Sequence, residues 1–192
     1  MESGPDDRYF PRLAAAFVRG RLGGAVTGAC EVDLLKRGAD AGLRLHKFKQ
    51  NTELPRVKRV IGMLRAIQPV SLVDIGSGRG TFLWPLLDAF PALPVVAVDV
   101  SWQRASDIAA VRRGGVENLS AVQGDVERLP LAERCADVVT ALEVLEHLRD
   151  PQAAMDRIVE AARRFVIASA PSKPDDNPEH IHLLTKEILG DT

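Results

Sequence analysis

Short apolar runs alternate with longer amphipathic stretches through the later part of the 192-residue chain. The runs are rich in β-branched residues and end in Gly, Pro or Asp, a pattern typical of buried strands. They predict strands near residues 70–75, 94–99, 118–123, 136–142 and 164–170. The stretches between them predict helices near residues 80–90, 102–113 and 151–163. This alternation favours a doubly wound, mostly parallel sheet with helices on both faces.

The first part of the chain has helical rather than strand periodicity. Apolar residues recur at helical spacing over residues 8–22 and 31–49, with a Gly-rich stretch between them. A further helix is predicted over residues 55–67, where a proline suits the first turn. We therefore expect an N-terminal helical segment of residues 1–54 and an α/β domain of residues 55–192.

A glycine-rich turn follows the first predicted strand. Residues 73–80 read Val-Asp-Ile-Gly-Ser-Gly-Arg-Gly. Glycine is needed where a backbone bends sharply or approaches a ligand closely, and parallel sheets bind ligands at the carboxyl ends of their strands. A dinucleotide fingerprint would have its third glycine at the position of Thr81. The turn therefore predicts a different binding site, with these candidate residues: Asp74, Gly76, Ser77, Gly78 and Gly80.

Acidic residues also follow the second and third predicted strands. Asp99 comes 25 residues after Asp74 and ends the second strand. A carboxylate at this place can accept hydrogen bonds from ribose hydroxyls; the alternative is that Asp99 caps the following helix. Asp125 follows a glycine after the third strand, and turn chemistry alone would also account for it.

The Asp-x-Gly-x-Gly-x-Gly turn resembles the first motif of class I S-adenosylmethionine-dependent methyltransferases. Residues 143–148, Glu-Val-Leu-Glu-His-Leu, follow the fourth strand and are similar to small-molecule methyltransferases of the type 11 group. The resemblance covers residues 56–190 and implies a Rossmann-like fold with S-adenosylmethionine as cofactor. It places Asp99 at the ribose and Asp125 at the adenine amino group. It also implies cofactor contacts from Val100, Val126 and Leu142.

Candidate catalytic residues follow the fourth and fifth strands. A methyl acceptor needs a general base only if its reacting atom must lose a proton, and imidazole has a suitable pKa. We predict His147 and His180 as catalytic residues. Their helical spacing suggests that Glu143, Glu146 and His147 share one face. The alternative is structural, with a Glu146–His147 hydrogen-bonded pair and a helix cap at His180.

The same side chains fit a second function. Glu143, Glu146, His147 and His180 offer a mixed oxygen and nitrogen ligand set for a divalent metal. They resemble the set of small-RNA 3′-terminal 2′-O-methyltransferases, so a metal-dependent RNA 2′-O-methyltransferase is one alternative and the metal remains unknown. A cofactor-binding protein without turnover is the other alternative.

The end of the chain departs from the resembling fold. That fold has seven strands, and its last two form an antiparallel edge hairpin. Only a short stretch at residues 185–189 follows the fifth predicted strand here. We expect either a sheet that is short at its C-terminal side or an N-terminal segment that covers this edge.

The composition of the chain limits the classes of partner that we expect it to bind. The net charge of -1 provides no global field for nucleic acid or an anionic membrane. Residues 44–65 are the most basic part and suit either a solvated helix face or a substrate-facing patch. Neither a membrane span nor a signal peptide is apparent, and Cys135 beside a strand is expected to be buried and reduced. We expect a cytoplasmic enzyme that acts on a small-molecule acceptor.

Overall fold

The structure is a computed structural model that describes residues 10–49, 54–128 and 131–170. Its helices are α1 (Pro11–Leu22), α2 (Glu31–Asp40), α3 (Pro55–Ile67), α4 (Leu83–Ala89), α5 (Trp102–Arg113) and α6 (Pro151–Ala161). Its strands are β1 (Leu72–Ile75), β2 (Val95–Asp99), β3 (Leu119–Gln123), β4 (Ala136–Leu142) and β5 (Ala162–Ser169). Three short 3₁₀ turns occupy Gly23–Val26, Leu45–Phe48 and Leu145–His147. The five predicted strands are all confirmed.

The strands form one parallel sheet in the order β3-β2-β1-β4-β5. Asp74 of β1 is in register with Ala97 of β2 and Thr140 of β4. The strand order reverses beside β1, and open α/β sheets bind ligands in the crevice at such a switch point. The predicted doubly wound, Rossmann-like fold is confirmed.

Helices cover both faces of this sheet. Alternate side chains of a strand point to opposite faces, so Leu72 belongs to one hydrophobic core and Val73 to the other. The first core also contains residues of α1, α3, α4 and α5, and the second contains Ile158 of α6. The sheet is therefore a buried central layer, and its carboxyl edge remains available for a site.

The first helix packs directly onto α5, backbone against backbone. A Cβ at Gly20 would lie 1.8 Å from the carbonyl oxygen of Ala110, and one at Gly114 would lie 1.7 Å from that of Ala16. Because α5 lies over β2 and β3, α1 is at the opposite end of the sheet from β5. The α1 part of the N-terminal segment therefore does not cover the β5 edge. The boundary at residue 54 stays a prediction.

Other local expectations need correction. The helix predicted over residues 31–49 ends at Asp40, because Gly42 has a left-handed φ of +74° and a 3₁₀ turn follows it. Cys135 is exposed rather than buried, since it precedes β4 instead of lying in it. The stretch at residues 185–189 lies outside the described residues. Among the helices that are described, none is long and apolar enough to cross a membrane.

Candidate functional site

The glycine-rich turn links β1 to α4 at the carboxyl edge of the sheet. A Cβ at Gly76 would lie 2.3 Å from Val144 Cγ2, and one at Gly80 would lie 2.0 Å from Trp84 Nε1. Packing therefore requires glycine at both positions. Gly78 has a φ of +56°, and a Cβ there would meet only the Gly76 carbonyl oxygen at 3.6 Å. The space beside Gly78 is therefore open to a ligand.

Asp99 holds this turn against the end of β2. Its Oδ2 accepts the Gly78 N–H at 2.7 Å and its Oδ1 accepts the Ser101 N–H at 2.8 Å. The Arg104 guanidinium lies 3.8 Å from Oδ2. The N-cap of α5 is Ser101, whose side chain accepts from Arg104 N, so the helix-capping alternative for Asp99 is wrong. A carboxylate has about four acceptor sites, and Asp99 therefore keeps acceptor capacity for a ligand.

Asp74 lies buried beneath the turn and ties it to the neighbouring strand. Its Oδ2 accepts the Ser77 hydroxyl at 2.7 Å, and its Oδ1 accepts the Thr140 hydroxyl at 2.8 Å. Burial disfavours the charged form and raises the pKa of Asp74 to about 6, against the two hydroxyl hydrogen bonds that lower it. Asp74 therefore anchors the turn, and it also lines a small cavity.

A larger cavity of about 530 Å³ opens over the ends of β1, β2 and β4. This volume lies within the usual range for small-molecule sites. It brings together predicted residues from four segments of the chain, which follow β1, β2, β3 and β4. Those that line it are Gly76, Gly78, Asp99, Val100, Asp125, Val126 and His147. Glu143 lines it as well. The common edge of the parallel strands accounts for this convergence.

A smaller cavity of about 150 Å³ adjoins the same turn. Three further predicted residues line it, which are Asp74, Ser77 and Leu142. Gly78 and Glu143 line both cavities. Gly80 lines neither of these two, because its α-carbon faces the Trp84 indole. The position of Gly80 supports packing of the turn rather than direct ligand contact.

The segment after β4 differs from its expected form. Glu143 has a φ of +57°, and the following 3₁₀ turn contains only Leu145–His147. Glu146 is fully buried, whereas His147 is exposed. The expectation that Glu143, Glu146 and His147 share one helical face is therefore wrong, since a left-handed residue and a three-residue turn replace α-helical geometry. Glu143 and His147 nevertheless line the same cavity.

Glu143 is fixed at the boundary between the two cavities. Its Oε1 accepts the Ser169 hydroxyl of β5 at 2.9 Å, and its Oε2 lies 3.8 Å from the Arg56 guanidinium. Its backbone N–H donates to the Ser169 carbonyl at 2.8 Å. These contacts orient a carboxylate toward both cavities and tie the segment after β4 to the last described strand.

The metal hypothesis receives no support from the part of the chain that the structure describes. Within it, no three His, Cys, Asp or Glu side chains are grouped so that they could hold a metal ion. His180, the fourth member of the proposed set and a predicted catalytic residue, lies outside the described residues. Its place relative to the cavity stays a prediction.

Three arginines at these cavities were not among the predicted site residues, and one of them, Arg104, lines the larger cavity. Arg56 and Arg79 both line the smaller cavity. The basic stretch of residues 44–65 contained a signal for Arg56, and Arg79 lies within the glycine motif itself. Their places beside the turn follow from tertiary packing, which periodicity does not reveal.

Comparison with protein families identifies the central part of the chain. Residues 73–164 match the model of a methyltransferase domain family. The matched segment begins in β1 and ends in β5, so it includes the turn, both cavities and the segment after β4.

A curated relative has the same kind of activity in its name. The chain is 28% identical over 112 residues to a malonyl-[acyl-carrier protein] O-methyltransferase of Geobacter sulfurreducens, with 57% of this chain and 40% of the relative aligned. The alignments with four such relatives span between 26% and 51% of those proteins. The chain therefore spans about half or less of the length of these relatives.

Solved structures show the same fold at low sequence identity. The YcgJ protein of Bacillus subtilis is 19% identical, with a TM-score of 0.59 over 70% of this chain and 64% of the other. SpnF, described as a [4+2]-cyclase, is also 19% identical, with a TM-score of 0.56 over 69% and 53%. At this identity the similarity establishes the architecture alone.

Proposed function

We propose that this chain, which belongs to the class I S-adenosylmethionine-dependent methyltransferases, transfers a methyl group to an oxygen of a small-molecule acceptor. The observation that carries the proposal is the larger cavity, where the turn after β1 meets the acids that follow β2 and β3. The name of the Geobacter relative supports oxygen as the methylated atom.

The residues present fit S-adenosylmethionine. Beside Gly78 lies open space that a side chain would fill, and the Asp99 carboxylate at one wall suits the ribose hydroxyls. Asp125, half-exposed at the same cavity, suits the adenine amino group, with Val100 and Val126 against the ring. The smaller cavity suits the amino-acid end of the cofactor, beside Asp74, Ser77 and Leu142.

The cofactor supplies an electrophilic methyl group, and the protein supplies position and, where required, a base. Holding two reactants in line accounts for much of the acceleration in such displacements. Glu143 lies where both cavities meet, so we assign it to orientation of the acceptor. His147 is the candidate base for an acceptor that carries a proton. A carboxylate acceptor is already ionised near neutral pH and needs no base.

A metal-dependent RNA 2′-O-methyltransferase is the second candidate. The reason is that four residues resemble the metal-ligand set of such enzymes: Glu143, Glu146, His147 and His180. It predicts loss of activity with a chelator and recovery with added Mg²⁺ or Mn²⁺. The main proposal predicts turnover that a chelator does not change. Turnover of a small acceptor in the presence of the chelator would therefore separate the two.

Cofactor binding without methyl transfer is the third candidate, and the fold of the cyclase SpnF gives it a reason. One fold supports different reactions, so function must be tested at the site.

A turnover assay tests the main proposal against cofactor binding alone. Formation of S-adenosylhomocysteine would be followed with a malonyl thioester as acceptor. An acetyl thioester, which lacks the free carboxylate, is its control. We expect product with the malonyl thioester alone. Cofactor binding without product from a panel of small acceptors would contradict the proposal.

A further inference from the structure

A basic cavity of about 310 Å³ adjoins the proposed cofactor site at Gly78. Its cationic walls come from three parts of the chain: the loop before α3, the glycine-rich turn and α5. The basic side chains that line it are Arg44, His46, Lys47, Arg79 and Arg104. Among the described residues that line it, Asp107 is the one acidic side chain. For a chain with a net charge of -1, this is a local concentration of positive charge.

The single carboxylate is already paired with cations. Arg21 lies 2.5 Å from Asp107 Oδ1, and the Lys47 ammonium contacts Oδ2 of the same group. Arg104 lies 3.8 Å from Asp99. The exposed side chains of Arg44 and Arg79 have no ion-pair or hydrogen-bond partner among residues 10–49, 54–128 and 131–170. These two guanidinium groups are therefore available to a ligand.

Arg79 connects the basic cavity to the reaction site. Its carbonyl oxygen accepts the Trp84 indole N–H at 2.9 Å, which fixes its backbone between two glycines. Its side chain lines the smaller cavity as well as the basic one. It also lines a third cavity of about 210 Å³, where Lys49 adds another basic side chain. A group held by Arg79 would consequently lie next to the bound cofactor.

We propose that Arg79 and Arg44 bind an anionic group of the methyl acceptor, a carboxylate or a phosphate. The inference rests on the proposed function and specifies its substrate class. Guanidinium groups bind both kinds of anion through paired hydrogen bonds. A partly enclosed wall strengthens this attraction relative to open water.

Titration of small anions tests the assignment. Malonate and inorganic phosphate are titrated into the full chain saturated with S-adenosylhomocysteine, with malonamide as neutral control, at constant ionic strength. We expect the wild-type protein to bind at least one anion and not malonamide. Arg79→Ala and Arg44→Ala should each weaken anion binding by roughly tenfold, and Arg79→Lys should restore part of it. Preference for malonate or for phosphate identifies which acceptor group the site takes.

The control variant is Arg157→Ala, an exposed arginine of α6 that lines none of these cavities. Its anion affinity should equal that of the wild type, and both Arg157→Ala and Arg44→Ala should keep their affinity for S-adenosylhomocysteine. Equal weakening in Arg157→Ala, or no anion binding to the wild type, would overturn the assignment. Loss of S-adenosylhomocysteine binding in Arg79→Ala would instead assign Arg79 to the cofactor. Failure of the wild type to bind S-adenosylhomocysteine would contradict the proposed function, and the anions would then be titrated alone.

Discussion

The turn after β1 is fixed by hydrogen bonds to two buried carboxylates, whereas the segment after β4 presents polar side chains to the cavities. Asp74 and Asp99 are 2% and 3% exposed, and both accept hydrogen bonds that fix the turn. Glu143 is half-buried and His147 is exposed. The first region is preorganised by its own backbone, and the second depends on contacts with β5 and on the ligand.

This difference indicates that the sequence at the acceptor end of the site can change while the sequence at the cofactor end stays the same. Backbone geometry at the turn is set by glycines and by two anchored acids, so few sequences satisfy it. The acceptor end is formed by side chains from distant segments, such as Arg44 at the basic cavity and Glu143 and His147 after β4. Substitutions there should change the acceptor while the cofactor end stays intact.

The largest expected effect is at the turn. Gly78→Val should abolish S-adenosylhomocysteine binding, because its branched side chain would enter the open space at a φ of +56°. Circular dichroism should still report a folded protein. The matched control is Gly62→Val on α3, where a Cβ meets nothing within 4 Å. Affinity retained in Gly78→Val would show that the turn does not contact the ligand.

The second prediction concerns the acceptor end. If the acceptor atom carries a proton, His147→Ala should lower turnover by roughly 10²–10⁴, the usual contribution of a general base. Affinity for the cofactor should remain nearly constant. Arg149→Ala, an exposed neighbour of the same loop, should change neither quantity. An unchanged rate in His147→Ala with such an acceptor would assign His147 a structural role.

The third prediction uses the raised pKa of Asp74, which should make the stability of the folded protein depend on pH. The pKa of Asp74 is about 6 in the folded protein and lies near its ordinary value of 3.8 in the unfolded chain. Between these values the folded state keeps the proton that the unfolded state has lost, so stability falls as pH rises. The free energy of unfolding of the wild type relative to Asp74→Asn should fall by about 2 kcal/mol from pH 4 to pH 7.

Chemical denaturation at several pH values measures this difference in unfolding free energy, which should not change further above pH 7.

Asp137, near the start of β4, should give the opposite dependence of stability on pH. The Val70 N–H, followed by Arg164 and Arg163, holds the pKa of Asp137 below its ordinary value. The wild type should therefore lose stability relative to Asp137→Asn as pH falls. Parallel slopes for the two variants would contradict the assigned environments.

The smallest expected effect is at the ribose position. Asp99→Ala should weaken S-adenosylhomocysteine binding by about 1.5–3 kcal/mol, typical of hydrogen bonds to a charged group. Isothermal titration measures the change, and Asp88→Ala on the exposed side of α4 is the control. Unaltered affinity in the Asp99 variant would remove the ribose assignment.

The turn and its acids were predictable because each rests on local sequence. Strand, acid and glycines are contiguous from residue 73 to residue 80, and parallel strands bring Asp99 to the same edge. The fold and the family followed from these motifs in their order. The 143–148 segment was misread because helical spacing does not show a left-handed residue at Glu143.

The basic cavity was only partly predictable. Composition marked residues 44–65 as basic, but the approach of Arg44 to Arg79 and Arg104 depends on the packing of α1 against α5 and of the adjoining loop. Such contacts between distant segments have no periodic signature. The burial of Glu146 in a short 3₁₀ turn is a further tertiary effect.

The most direct test of the central claim is a parallel titration of the wild-type chain with S-adenosylhomocysteine and with NAD. The account predicts micromolar binding of S-adenosylhomocysteine, about 8 kcal/mol, and no measurable binding of NAD, since the third glycine of a dinucleotide fingerprint is replaced by Thr81. Comparable affinity for NAD, or no binding of S-adenosylhomocysteine, would contradict it.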